Sequence, residues 1–290
     1  MPVDLGRGPG RVAVAWLLAL SLICLAACDP GRAVSNPAGT SRATTGSPAA
    51  HLRVLQMNLC NSGRAACYTG GRAVSVAAAL VQQHRPDMIS VNEVCRDDLR
   101  LLKQAMSVTR PHAAIGSAFA SAQDPNSRSP VLCQNGQDFG DAVLVVVPSS
   151  TSNVRNVSGI YPMQDPGDME DRVWACIELP QLSACTTHTA STSATVALEQ
   201  CRYLLTSVAP AIGRRTGGAP NILGADLNLP ARGSPSALAC LPSGYQRADD
   251  DGVQNVMASP GTAVRSRTVL DMQGTTDHPG LLVDLALPRQ

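Results

Sequence analysis

Apolar and polar positions change rhythm three times along the chain. Arg7 and Arg11 precede an uninterrupted apolar run, Val12 to Ala27, which gives way to residues 29–50, rich in Gly, Ser, Thr, Pro and Ala and without apolar periodicity. A basic end before an apolar run reads as an export signal, and the run is shorter than the roughly 20 residues of a stable membrane span. The stretch after it reads as a flexible linker. From about His51 folding patterns begin. Leu52 to Met57 predicts a buried strand, and Arg72 to Gln83 predicts a helix carrying Val74, Val76, Ala77 and Leu80 on one face. Met88 to Val94 predicts a second strand after Pro86-Asp87. Later strands are predicted at Asp141 to Val147, Val173 to Glu178, Cys185 to Thr189, Asn221 to Ala225 and Leu281 to Leu287, with a long helix over Ala194 to Ile212. Interleaved hairpins and helices predict an α/β sandwich with mixed sheets rather than a doubly wound sheet. With no internal repeat and no second linker, residues 51–290 read as one domain.

Composition changes this picture in two places. Hydrophobic residues make up 44% of the chain, enough for a packed core, yet aromatics are only 3%, so Val, Leu, Ile, Ala and Met must fill it. Losing residues 1–27 removes two cations and one anion, which takes the formal charge from +1 to zero. Proteins that hold long nucleic acid through many phosphates carry a basic surplus, and none survives here.

Leu25-Ala26-Ala27-Cys28 resembles the bacterial lipobox, which implies lipidation of Cys28, a membrane anchor and an extracytoplasmic location; a plain secretory leader and a tethered leader that is never cut are the alternatives, and all three export the domain. Of ten cysteines, setting aside Cys24 and Cys28 leaves an even number: Cys60, Cys67, Cys95, Cys133, Cys176, Cys185, Cys201 and Cys240. In an exported chain these predict disulfides. Cys176 and Cys185 lie symmetrically about Leu179-Pro180-Gln181-Leu182, so a hairpin there sets them opposite each other. Cys60 and Cys67 would close a short local loop, and the other four would pair among themselves. Without CxxC spacing, structural zinc is the weaker alternative.

Polar residues of chemical interest fall where the predicted strands end: Asn58, Glu93, His188, Asp226 with Asn228, and Asp277-His278 before the last strand. Strand ends are where α/β folds commonly gather their sites. Taken alone, each has an ordinary structural explanation, as a turn former or a solvated strand end.

Five segments in order carry a resemblance. They are Leu52-Arg53-Val54-Leu55-Gln56-Met57-Asn58-Leu59, the run Arg85 to Val94, Thr187-His188, Leu223-Gly224-Ala225-Asp226-Leu227-Asn228 and Thr276-Asp277-His278-Pro279. Together they resemble the endonuclease/exonuclease/phosphatase superfamily, the deoxyribonuclease I-like fold, across residues 51–290. The resemblance implies a four-layered sandwich, two mixed β-sheets packed face to face with helices on both outer faces. It also implies a divalent-metal-dependent phosphoester hydrolase, with Mg²⁺, Mn²⁺ or Ca²⁺ held by Asn58, Glu93 and Asp277.

Phosphoester chemistry gives these residues reasons to be there. The anionic phosphate repels a nucleophile, so an enzyme must neutralise it and activate water together. Hard oxygen ligands from Glu93, Asn58 and Asp277 suit Mg²⁺. Asp226 would orient or deprotonate water beside Asn228, while His188 and His278 would hydrogen-bond phosphoryl oxygens or protonate the leaving group. Arg172 and Asp141 are implied to contact the substrate phosphate. Two departures stand out: Asn92 replaces the usual Gln before the metal-binding Glu, and Gln254 occupies the acidic position whose carboxylate normally partners the final His. Gln254 is expected to orient His278 by hydrogen bonding without stabilising an imidazolium. The expected function is a monomeric phosphodiesterase, a nuclease or a phospholipid head-group hydrolase. A phosphomonoesterase acting on inositol phosphates and an inactive binding protein are the alternatives. Specificity is expected from loops over Ser117 to Gln137 and Asn153 to Asp171.

Overall fold

The inward-facing positions of the central strands run from apolar to polar along their length, and that gradient organises the molecule. The computed structural model describes residues 50–288; the segment expected to be an export signal with Cys28, and the expected linker apart from Ala50, lie outside them. Twelve strands form two six-stranded sheets. The first contains β1 (His51–Asn58), β2 (Met88–Cys95), β3 (Ala114–Ser121), β4 (Phe139–Val147), β11 (Ala263–Leu270) and β12 (Gly280–Ala286), in the order β11-β12-β1-β2-β4-β3. The second contains β5 (Arg155–Ile160), β6 (Val173–Glu178), β7 (Ser183–His188), β8 (Asn221–Asp226), β9 (Gln246–Asp249) and β10 (Gln254–Ala258), in the order β5-β6-β7-β8-β10-β9.

Each sheet has one parallel pair near its middle, β1 with β2 and β7 with β8, while all other pairings are antiparallel. Parallel neighbours need a crossover, and a helix supplies it each time. Between β1 and β2 runs α1 (Arg72–His84), which buries Ala73, Val74, Ala77, Ala78, Leu80 and Val81 on one stripe. It stops at Arg85, which takes a left-handed conformation at φ 49° immediately before Pro86. The crossover between β7 and β8 is a single rod: α3 (Ala194–Tyr203), a π turn (Leu204–Val208) and α4 (Ala209–Arg215). Pro210 lacks an amide hydrogen and its ring crowds the preceding turn, and the widened π turn sits where that crowding falls.

Three apolar layers hold the sandwich together. Val54, Met88, Val143, Val145, Ile177, Ile222, Val256 and Val283 fill the space between the sheets. Leu55, Ile89, Val91 and Leu144 pack outward against α1 and α2 (Asp98–Thr109). Cys185, Leu223 and Met257 pack outward against the second helical rod. The result is helix, sheet, sheet, helix, the four-layered arrangement expected.

Four disulfides join all eight described cysteines: Cys60–Cys67, Cys95–Cys133, Cys176–Cys185 and Cys201–Cys240. The hairpin pair lies in register across β6 and β7, and all eight described sulfurs are paired in disulfides. Other expectations need correction. Ser117 to Gln137 is not all loop, since Ser117–Ser121 completes β3, and Arg155–Ile160 within the second expected loop is β5. Helix α2 and strands β9, β10 and β11 went unpredicted. Edge strands β5 and β11 are mostly exposed, so they lack the alternating apolar face that reveals a strand in sequence.

Candidate active site

Along β1 the residues facing the other sheet read Leu52, Val54, Gln56, Asn58; along β2 they read Met88, Ser90, Asn92; along β8, Ile222, Gly224, Asp226. The carboxyl end of each parallel pair is therefore polar, and the two ends face each other across the sandwich. Register places Asn58 beside Asn92 in one sheet and His188 beside Asp226 in the other.

The seven residues singled out from sequence converge here. The Asn58 amide donates to Glu93 Oε1 over 2.8 Å and to Asp226 Oδ2 over 3.1 Å. His188 Nδ1 lies 3.9 Å from Glu93 Oε1, and its Nε2 lies 2.9 Å from Asn228 Nδ2. His278 Nε2 is 3.6 Å from Asp226 Oδ2 and 3.8 Å from Asp277 Oδ1. Contacts below 4 Å thus connect all seven.

Local backbone geometry aims several of these groups. Glu93 sits at φ 55° where the β2–β4 register slips between Val91 and Val94, so a bulge turns its side chain out of the strand's alternation. Asn228 is also left-handed, at φ 48°, and its N–H donates to Asp226 Oδ1 over 3.1 Å. Its side-chain NH₂ donates to the Thr189 carbonyl over 2.8 Å, which fixes the amide's orientation. His188 Nε2 must then accept, so its proton resides on Nδ1, facing Glu93. Burial, followed by the charges of Arg172 and His278, holds the His188 imidazole well below its usual range, so it is neutral at physiological pH.

Burial raises the Glu93 carboxyl above its ordinary value; the Asn58 hydrogen bond opposes this, and the charges of Asp226 and Asp277 reinforce it. Crowded hard-oxygen donors of this kind are the type that could hold a divalent cation, and Glu93 and half-exposed Asp277 are the carboxylates available for it. Asn58 fits less well than expected: its amide oxygen accepts from Cys60 N–H at 3.0 Å and its NH₂ faces the carboxylates. As placed, it bridges carboxylates rather than offering an oxygen to the cleft. The sulfurs of Cys60 and Cys67 lie within 4.8 Å of Asp277, but as a disulfide they provide no thiolate.

Arg172 is buried just before β6 and lies within charge range of Glu93 and Asp141. It pairs with Asp168 at 3.0 Å and Glu170 at 2.8 Å and donates to Ser191 Oγ at 3.1 Å. Asp141 accepts from Asn92 Nδ2 at 2.9 Å, and burial pushes its carboxyl up to about 8. Sequence reasoning missed Asp168 and Glu170; burial pushes the Glu170 carboxyl up to about 7. The signal available was the acid-rich run Asp168 to Asp171 immediately before the arginine. Gln254, expected to orient His278, instead donates to Asp226 Oδ2 over 2.6 Å and accepts from Gln56 over 2.9 Å. Strand register places it opposite Asp226, which overturns that expectation.

No protein-family model and no curated protein sequence matches the chain. Solved structures do. An endonuclease/exonuclease/phosphatase from Beutenbergia cavernae is similar with a TM-score of 0.60 and 19% identity, over 82% of this chain and 72% of that one. A mannosyl-6-phosphatase from Bacteroides thetaiotaomicron gives 0.58 and 15%, over 81% and 99%. The human Nocturnin catalytic domain, solved with a bound sulfate anion, gives 0.54 and 16%, over 81% and 94%. At these identities the likeness is one of architecture. Two mixed six-stranded sheets packed face to face between helices give this chain the fold of the endonuclease/exonuclease/phosphatase proteins.

Proposed function

We propose that the chain is a divalent-metal-dependent phosphoester hydrolase, and foremost a phosphodiesterase of an exported, lipid-anchored domain. One observation carries the reading: seven polar side chains, spread from Asn58 to His278, meet through contacts below 4 Å at the carboxyl ends of two parallel strand pairs. The fold neighbours support hydrolysis of phosphoesters, and the mannosyl-6-phosphatase among them keeps phosphomonoesters within the test. Four disulfides support an oxidising compartment, in line with export.

Glu93 and Asp277 would hold the cation, which when bound polarises a phosphoryl oxygen and stabilises the leaving alkoxide. Asp226 takes the proton of the attacking water; its carboxylate is fixed by the donors of Asn58, Gln254 and Asn228. Asn228 spends its NH₂ on Thr189 and His188 and so presents its oxygen to that water. His188, neutral and protonated on Nδ1, donates to a phosphoryl oxygen without needing to be charged. His278, a quarter exposed, lies on the open side, where a departing oxygen takes up a proton. Arg172 contributes positive charge through the wall of the site, offset by Asp168 and Glu170.

A panel of bis(4-nitrophenyl) phosphate, plasmid DNA, RNA, sphingomyelin and inositol phosphates, run on the full chain with Mg²⁺, Mn²⁺ or a chelator, tests this. Turnover of a diester that the chelator abolishes, and that Glu93→Ala or Asp226→Ala lowers by about 1000-fold or more, is expected. Hydrolysis unchanged by both substitutions would sink the reading, and turnover confined to monoesters would replace diesterase with phosphatase.

A further inference from the structure

Between the two sheets, at the level of the site, lies a chain of buried amides whose orientation can be deduced from a single backbone group. Gln56, Asn92 and Gln254 are each fully buried, as is Asp226. The Asp226 backbone N–H lies 3.1 Å from the nearer oxygen-bearing end of the Asn92 side chain. A peptide N–H only donates, so that end must be the carbonyl oxygen, and the Asn92 NH₂ must face Asp141, 2.9 Å away. Gln56 then has to present its NH₂ to Asn92 Oδ1 at 2.6 Å, and the same NH₂ reaches Gln254 Oε1 at 2.9 Å. This leaves Gln254 one possibility, its NH₂ toward Asp226 Oδ2 at 2.6 Å. No flip of any one amide is available without setting donor against donor or acceptor against acceptor.

The arrangement leaves Gln56 Oε1 buried without a hydrogen-bond partner. An unsatisfied acceptor is unfavourable, so the fold sacrifices it to keep the amides aligned. Asp226 Oδ2 receives both the Gln254 and the Asn58 NH₂ groups, while His278 Nε2 stands further off at 3.6 Å.

We propose that Gln254 is a positioning residue for Asp226, locked by Gln56 and Asn92, and not a partner of His278. The proposal rests on the hydrolase reading above for its kinetic consequence. Its geometric content does not depend on that reading. Gln254 fixes the rotation of the carboxylate that handles the attacking water, so its loss lowers turnover without weakening substrate binding.

The test compares the full chain with Gln254→Met, which keeps length and removes the donor, and Gln254→Glu, which keeps the contact to Gln56 and turns the contact to Asp226 into acceptor against acceptor. With bis(4-nitrophenyl) phosphate, kcat is expected to fall roughly tenfold or more in both while KM stays within about twofold. If Gln254 served His278, a carboxylate there would raise kcat; a rise in Gln254→Glu, or unchanged kcat in both variants, overturns the proposal. A second readout needs no activity and no folded Gln254 variant. The Gln254 side-chain amide resonances in a ¹⁵N-labelled protein are expected to shift in Asp226→Asn and to stay in place in His278→Ala. The reverse pattern overturns the proposal, and a panel without turnover sinks the hydrolase reading alone.

Discussion

The side chain of Asn58 donates to Asp226 Oδ2 over 3.1 Å, joining the last residue of β1 in one sheet to the last residue of β8 in the other. The same NH₂ reaches Glu93, so one amide separates two carboxylates that would otherwise face each other. Asn58→Ala removes both donors. Turnover is expected to fall by about 100-fold, since preorganised donors at a reacting centre are worth that much. The unfolding free energy is expected to fall by about 1–3 kcal/mol as the carboxylates lose their partner. Steady-state kinetics and denaturant melts read the two effects separately, and unchanged turnover would remove Asn58 from the site.

Buried Asp141 makes stability depend on pH in a definite direction. Its folded-state carboxyl titrates at about 8, above the ordinary 3.8, because of burial. A raised folded value means that its stabilising contribution is complete below the ordinary value and is lost as pH rises through about 8. Asp141→Asn still accepts from Asn92 and has no proton to lose. At pH 7.5 the variant is expected to be more stable by about 2 kcal/mol, roughly 4–8 °C in melting temperature, with the gap narrowing toward pH 4. Melts across that pH range would contradict this if the gap were constant or reversed.

Gly224 sits where the two sheets are in close contact near the site. A Cβ there would lie 2.4 Å from Ser90 Cβ and 2.9 Å from Gln56 Oε1, and the Ser90 hydroxyl lies 2.9 Å from the Gly224 carbonyl. Gly224→Ala wedges the sheets apart at the level of the amide chain, at an expected loss of about 1–3 kcal/mol. Because Gln56 is displaced with it, turnover should fall as well. A melt and a kcat matching the parent would show that the sheets have slack here.

The disulfides are expected to separate stability from activity. Cys201–Cys240 spans 39 residues and pins the second helical rod, whereas Cys60–Cys67 spans 7 and lies beside Asp277. Loop-closure entropy predicts that replacing the first pair with alanine removes about 4 kcal/mol, and the second about 2 kcal/mol. Activity is expected to show the opposite ranking, since of the two loops only the short one lies against Asp277, the carboxylate proposed to hold the cation. Parallel melts and turnover measurements decide it, and equal activity losses would refute the ranking.

The sequence by itself determined the central strands, the first crossover helix, the second helical rod, the Cys176–Cys185 bridge and which seven polar residues stand at the strand ends that converge. These are local signals: apolar runs at Leu52 and Asn221, a helical stripe through Val74 and Leu80, polar residues closing each strand. Helix α2 was less legible because it buries only Leu102, Ala105 and Met106, and β5 and β11 carry no apolar face. Tertiary structure alone decided that Gln254 serves Asp226, that Asn58 turns its NH₂ inward, and that Arg172 is enclosed by Asp168 and Glu170. Each depends on which groups meet across strands or loops in the folded chain. Local patterning fixes which face a side chain takes, whereas its hydrogen-bond partner follows from register and burial, and these exist only once the sheets have closed on one another.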